Sequence, residues 1–86
     1  MIIVKVKGQN RIIRNKFIHY QTENDLECHY KNHHINIAKQ EVGDYYVTVT
    51  DETGMYAVQG GFGGSWGKEE HNSIEGCLVM CIGNII

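Results

Sequence analysis

The residue types with most chemical potential lie in a glycine-dense stretch that ends in charged side chains. Residues 60–67 read GGFGGSWG, and Lys68, Glu69 and Glu70 follow. Free backbone amides at a helix start attract anions, and a Gly-Lys pair is part of the phosphate-binding P-loop. The P-loop spacing fails, because Phe62 stands at a glycine position and Glu69 replaces Ser or Thr. A small-ligand or nucleotide site in this loop is therefore kept only as an alternative hypothesis.

The same stretch favours a protein-binding loop. Phe62 and Trp66 are aromatic side chains of the kind that dominate protein interfaces. Glu69 and Glu70 add negative charge that fits a basic partner surface. The competing interpretation is structural: the glycines let the chain cross a sheet edge, and the two aromatic rings cap the core. We predict a partner-contact set of Phe62, Trp66, Glu69 and Glu70.

Residue types that bind metals or carry out catalysis are also present. The candidates are Cys28-His29, His33-His34, and Cys77 with Cys81. No C-x-x-C knuckle accompanies the first two pairs, and adjacent strand residues point to opposite faces. Cysteines four apart on a helix are usually buried and act as small hydrophobic side chains. We therefore predict no metal, no cofactor, no catalytic residue and no enzymatic activity, and regard the five histidines as a source of pH sensitivity at most.

Basic residues are concentrated in the first third of the chain. Six of the eight lie within the first 31 positions: Lys5, Lys7, Arg11, Arg14, Lys16 and Lys31. They are interleaved with Phe17, Tyr20 and Tyr30, a pattern found in nucleic-acid-binding surfaces. The formal net charge is −2, however, so no global basic field gathers phosphates. The net charge therefore argues against general nucleic-acid binding, which we keep as an alternative hypothesis.

Length and composition predict one globular domain, residues 1–86, too small for a large enclosed active site. Three cysteines are too few for a disulfide scaffold, and the first residues alternate instead of forming a signal peptide. The longest nearly apolar run, residues 77–82, is far shorter than the roughly 20 residues of a membrane span. We expect a cytoplasmic protein without a membrane segment.

Alternating apolar residues predict an antiparallel sheet of about five strands. Strands are predicted at residues 2–6, 26–30, 35–37, 45–50 and 55–59, with Val47 and Val49 in the core. The expected turns are residues 8–10, 21–25, 31–32, 43–44 and 51–54. Residues 11–20 allow a hairpin strand, which we favour, or a helix, because Ile13, Phe17 and Tyr20 have helical spacing.

One C-terminal helix is predicted to pack on this sheet, which makes the fold class α+β. Asn72 is the expected N-cap, with Glu75 three residues later, and Gly83-Asn84 is the expected stop. The stripe that should face the sheet is Ile74, Cys77, Leu78, Cys81, Ile82 and Ile85. We expect homodimerisation through an exposed strand edge or through a second apolar row of this helix, whose glycines allow close backbone approach: Gly76, Val79, Met80 and Gly83.

Two resemblances give these elements a functional context. The run from Tyr46 to Asp51, the glycines at positions 54, 60 and 61, and a helix near Ser73 loosely resemble the strand-strand-helix part of HicB-type antitoxins, over less than half of the chain. That resemblance implies an antitoxin or nucleic-acid-binding regulator as an alternative function.

The second resemblance is one of type. A tiny, proline-free, mildly acidic α+β chain is similar to phage-encoded inhibitors such as anti-CRISPR proteins, and its residue usage suggests an AT-rich phage or mobile-element gene. This resemblance implies a host protein as the partner. The leading hypothesis is a non-catalytic protein-binding module that inhibits a host defence nuclease by covering its surface.

Overall fold

The computed structural model describes residues 1–86 and contains seven strands and one α-helix. The strands are β1 (Ile2–Val6), β2 (Gln9–Ile13), β3 (Ile18–Gln21), β4 (Asp25–Tyr30), β5 (His33–Lys39), β6 (Asp44–Thr50) and β7 (Tyr56–Gly63). Short 3-10 helices at Asn15–Phe17 and Glu69–His71 precede β3 and the helix α1 (Ile74–Ile85). The α+β class is confirmed, as is a five-stranded antiparallel sheet, and β1 and β2 form an additional two-stranded sheet.

The large sheet is a simple meander in the order β3-β4-β5-β6-β7. Its tightest turn is Lys31-Asn32, where φ is 46° and 63° and Tyr30 pairs with His33. Two consecutive positive φ values match the twist of the flanking strands, which explains why so short a turn can join them. The turns predicted near Gly43 and Gly54 also exist, and both glycines have positive φ.

The core lies between one face of the sheet and α1. Alternate residues of β4, β5 and β6 are almost fully buried, as strand periodicity requires. They meet the helical stripe, whose Cys77, Leu78, Cys81 and Ile82 are at most 1% exposed. Burial of each large aliphatic side chain contributes about 1.5–3 kcal/mol. Val4, Val6 and Ile13 add the small hairpin to the same core.

The first twenty residues contain the predicted hairpin but not one continuous second strand. Ile2 pairs with Ile13, and the turn lies at Lys7-Gly8 instead of residues 8–10. The helical alternative for residues 11–20 is wrong. Ile13 is buried in the core, whereas Phe17 is 43% exposed, so their helical spacing does not define one buried face.

The helix starts one residue later than predicted and continues past the predicted stop at Gly83-Asn84. Ser73 is the N-cap, and its Oγ accepts a hydrogen bond from the Gly76 amide at 2.9 Å. Asn72 is not the cap, because its side chain is used by the preceding loop. Gly83 does not stop the helix, since it lacks the positive φ of a helix-ending glycine and α1 continues to Ile85. No helix reaches the length and hydrophobicity of a membrane-spanning segment.

Candidate functional site

The glycine-dense stretch belongs largely to a strand. β7 continues to Gly63, and Gly60 and Phe62 pair with Val47 and Tyr45 of β6. The predicted end of this strand at Gln59 was wrong, because β6 supplies hydrogen-bonding partners that outweigh the poor strand propensity of glycine. The segment that leaves the sheet is therefore short. We call residues 64–68 the Trp66 loop.

Close backbone packing gives the Trp66 loop its shape. Gly63 and Gly64 have φ values of 81° and 76°, a region that residues with a Cβ rarely adopt. A Cβ on Gly63 would lie 2.6 Å from the His71 carbonyl oxygen, and one on Gly67 would collide with the Gly63 carbonyl oxygen. The Gly64 amide donates to Asn72 Oδ1 at 2.6 Å. The glycines are therefore required for the loop to fold back on itself.

The predicted contact residues fall into two groups. Trp66 is 100% exposed at the loop tip. Phe62 is half-buried against the core, and its ring meets the His71 ring edge-on at a centroid distance of 5.5 Å. Phe62 and Trp66 nevertheless line one shallow groove of about 460 Å³ together with Gly67 and Lys68. Phe62 thus supports the base of this surface, and Trp66 projects from it.

The two glutamates lie close to the same surface. Glu69 and Glu70 form the start of the 3-10 helix that connects the Trp66 loop to α1, and both are exposed. Glu70 Oε1 lies 3.9 Å from His71 Nε2, and at that distance an exposed pair contributes little to stability. The carboxylates therefore remain free to meet a partner's positive charge.

The predicted dimer face of α1 is partly covered by the chain itself. The Glu70 carbonyl oxygen occupies the place that a Cβ on Gly76 would take. A Cβ on Gly83 would lie 3.8 Å from a Val6 methyl group, and Val79 and Met80 are partly buried against the core. An internal backbone contact therefore accounts for Gly76. The homodimer stays a prediction, and an open groove of about 610 Å³ runs along this face.

The cysteines are packed as hydrophobic side chains. Cys28, Cys77 and Cys81 are all 0% exposed, and burial raises the pKa of their thiols to about 12, 11 and 12 respectively. They remain protonated, which makes them poor nucleophiles and poor metal ligands. Cys28 faces the core whereas His29 faces the other side of the sheet, and no group of His, Cys, Asp or Glu side chains is arranged to hold a metal ion.

A histidine cluster on the outer sheet face was not predicted as a unit. His19 Nε2 lies 2.6 Å from His29 Nδ1, and the His29 and His34 ring centroids are 5.0 Å apart. His34 Nε2 lies 2.8 Å from Glu27 Oε2. Burial, and then the neighbouring His19 and His34, lower the pKa of His29. The predicted turn at residues 31–32 places His29 opposite His34 on neighbouring strands. The position of His19 could not be predicted in the same way, because the register of β3 against β4 is irregular between Ile18 and Tyr20.

The fold and the site together describe a small α+β domain with one fully exposed tryptophan, which lies on a loop whose conformation depends on glycines. The chain matches no protein-family model, and comparisons with curated proteins and with solved structures find no significant similarity. Its function is therefore inferred from the geometry and charge of its surface.

Proposed function

We propose that the protein is a non-catalytic binding module that docks onto a partner protein through the Trp66 loop. The observation that carries the proposal is the complete exposure of the Trp66 indole. Burying a side chain of this size removes about 150–250 Å² from water, which corresponds to roughly 4–6 kcal/mol before the costs of association are subtracted. A single tryptophan can therefore contribute much of the binding free energy of a protein interface.

The shape of the loop supports the proposal. Its backbone is restrained by the close contacts at Gly63 and Gly67 and by the hydrogen bond from Gly64 to Asn72. A loop that is ordered before binding loses less conformational entropy on association. No side chain of the protein covers Trp66, which is 100% exposed.

The charge beside Trp66 favours a basic partner surface. Glu69 and Glu70 are exposed in the turn that follows the loop. Enzymes that act on nucleic acids carry basic channels for the phosphate backbone, and carboxylates can compete for such channels. We therefore propose a host nucleic-acid-processing enzyme, such as a defence nuclease, as the partner, and inhibition by surface occlusion as the mode of action.

The test compares Trp66→Ala with a matched control, Tyr56→Ala. Tyr56 is 57% exposed on β7, so both changes remove an exposed aromatic ring. Affinity capture from host lysate, followed by titration of the captured enzyme in a nuclease assay, should show strong loss of binding and inhibition for Trp66→Ala only. Charge reversal at Glu69 and Glu70 should weaken binding, and more so at low salt.

Two results would contradict the proposal. One is capture of the same partner by Trp66→Ala with unchanged affinity. The other is equal loss with Tyr56→Ala while circular dichroism shows both variants folded. Either result would remove the Trp66 loop as the specific contact.

A further inference from the structure

A second surface lies at the opposite corner of the sheet. A cavity of about 570 Å³ opens where the end of β2, the first 3-10 helix and the β4–β5 turn come together. Its volume falls within the range of small-molecule sites, about 300–1,000 Å³. We call this cavity the basic pocket, because its polar lining includes Arg14, Lys16 and Lys31.

The charge of the basic pocket is opposite to that of the whole chain. None of its ten lining residues is acidic, although the protein has a formal net charge of −2. Arg14, Lys16 and Lys31 form no salt bridge, since the ion pairs in the structure are His34–Glu27 and His71–Glu70. Two imidazoles, of His19 and His29, complete the polar wall. Three unpaired cations around one concavity make a favourable site for an anion.

Aromatic rings stand beside two of these cations. Lys16 Nζ lies 5.1 Å from the centroid of the Phe17 ring, and Lys31 Nζ lies 5.9 Å from that of Tyr30. Such contacts hold a flexible lysine near a flat apolar surface. Phe17 is 43% exposed and therefore offers part of its ring to a ligand. The pocket thus combines positive charge with planar apolar surface.

We propose that the basic pocket binds a nucleotide, with its phosphate among Arg14, Lys16 and Lys31 and its base against Phe17. A nucleotide is the common ligand class that carries both a phosphate anion and a flat aromatic ring. Cations that track the phosphate, next to a ring on which the base stacks, are how proteins recognise single nucleotide units. The unit can belong to a free mononucleotide or to a single strand, because the recognised chemistry is the same.

The imidazoles make this binding dependent on pH. The charged or titratable groups around His29 are His19, His34, Glu27, Arg14, Lys16, Tyr30 and Lys31. Burial and the two neighbouring histidines lower the pKa of His29, which favours its neutral form. A bound phosphate stabilises the protonated imidazole, so protons and phosphate bind cooperatively. Affinity for the nucleotide should therefore rise as the pH falls below 7.

The test uses charge reversal with a matched control. The pocket variant is Arg14→Glu with Lys31→Glu, and the control is Lys5→Glu with Lys39→Glu, two exposed lysines outside the pocket. The probes are AMP, ATP, inorganic phosphate and a labelled ten-residue deoxythymidine strand, measured by calorimetry and fluorescence anisotropy. We expect at least a tenfold weaker affinity in the pocket variant, since two cations that would contact the phosphate are replaced by anions that repel it, and a much smaller change in the control.

Phe17→Ala provides a second variant, which should remain folded because Phe17 is 43% exposed. It should weaken AMP binding but not phosphate binding. Comparable affinity for AMP and for the strand identifies the free nucleotide as the source, whereas much tighter, salt-sensitive binding of the strand identifies nucleic acid. The proposal is overturned if no probe binds at millimolar concentration, if phosphate alone binds as tightly as AMP, or if both charge-reversal variants bind equally.

Discussion

The Trp66 loop and the basic pocket occupy diagonally opposite corners of one sheet and are built in opposite ways. The loop follows β7, at the end where Gly63 pairs with Asp44. The pocket lies beside β3, at the end where Tyr30 pairs with His33. One corner is convex and carries exposed carboxylates, and the other is concave and carries unpaired cations. One small core therefore supports two surfaces of opposite charge.

The two corners also differ in what holds their shape. Backbone atoms in near contact shape the loop, as at Gly63 and Gly67, so these glycines have no room for a side chain. Gly76 of α1 makes a similar contact with the backbone of Glu70. Side chains that leave space between them shape the pocket. Changes at the loop's glycines should therefore affect stability, while changes at the exposed residues of either corner should affect binding.

The largest change in stability is expected at Gly76, and it should differ in sign from the change at Gly83, the other glycine of α1. Helix propensity alone predicts that Gly→Ala stabilises an interior helical position by about 1 kcal/mol. Gly83→Ala should follow this rule, because a Cβ there has only an ordinary contact with Val6. Gly76→Ala should instead lower the free energy of unfolding by about 1–3 kcal/mol, because its Cβ collides with the Glu70 carbonyl oxygen.

Urea denaturation of both variants measures this difference, with the wild-type protein as the reference. If Gly76→Ala proved as stable as Gly83→Ala, the 3-10 helix that carries Glu69 and Glu70 would not be fixed by that contact. The segment that joins the Trp66 loop to α1 would then be less firmly held than the contact between Gly76 and Glu70 implies.

Much of the sheet could be predicted from the sequence, because burial on one face imposes a period of two. Leu26, Ile35, Ile37, Val47 and Val49 are all at most 1% exposed, as their alternation indicated. The tight turn at residues 31–32 also set the register of β4 against β5. Local pattern and tertiary packing agree in these elements.

The candidate surfaces were predicted less well, because they depend on contacts between distant segments. Asn72 has a side chain that often caps helices, but its Oδ1 accepts a hydrogen bond from the Gly64 amide. Ser73 caps α1 instead. The basic residues were recognised as a cluster along the chain, whereas the cavity between them arises only when the first hairpin packs beside β4. Trp66 was identified from residue type, and its complete exposure required the structure.

A smaller effect is expected at the histidine cluster beside the basic pocket. Because the pKa of His29 is lowered in the folded protein, the unfolded chain binds more protons near the usual histidine pKa. The stabilising contribution of neutral His29 is therefore complete above about pH 6.5 and is lost as the pH falls below that value. The hydrogen bond from the Thr53 hydroxyl lowers the pKa of Asp51, whose contribution is lost in a separate window below about pH 4.

Urea midpoints between pH 7.5 and pH 5 test the His29 contribution. The midpoint should fall on acidification, and His29→Gln should reduce this fall. His33→Gln, outside the cluster of close ring contacts, is the control and should retain it. A midpoint that rises on acidification, or that depends on pH equally in both variants, would show that the outer face does not destabilise a charged His29.

The smallest change in stability is expected for Trp66→Ala, although this substitution removes the largest side chain. Trp66→Ala should alter the free energy of unfolding by less than about 0.5 kcal/mol, because the indole is 100% exposed and its loss leaves no cavity. Phe62→Ala, at the half-buried base of the same loop, should cost more, since that ring packs against the core and His71. Urea denaturation compares the two variants directly. If Trp66→Ala destabilised the protein as much as Phe62→Ala, the indole would be packed on its own domain, and the contrast between an open aromatic corner and a concave basic corner would fail.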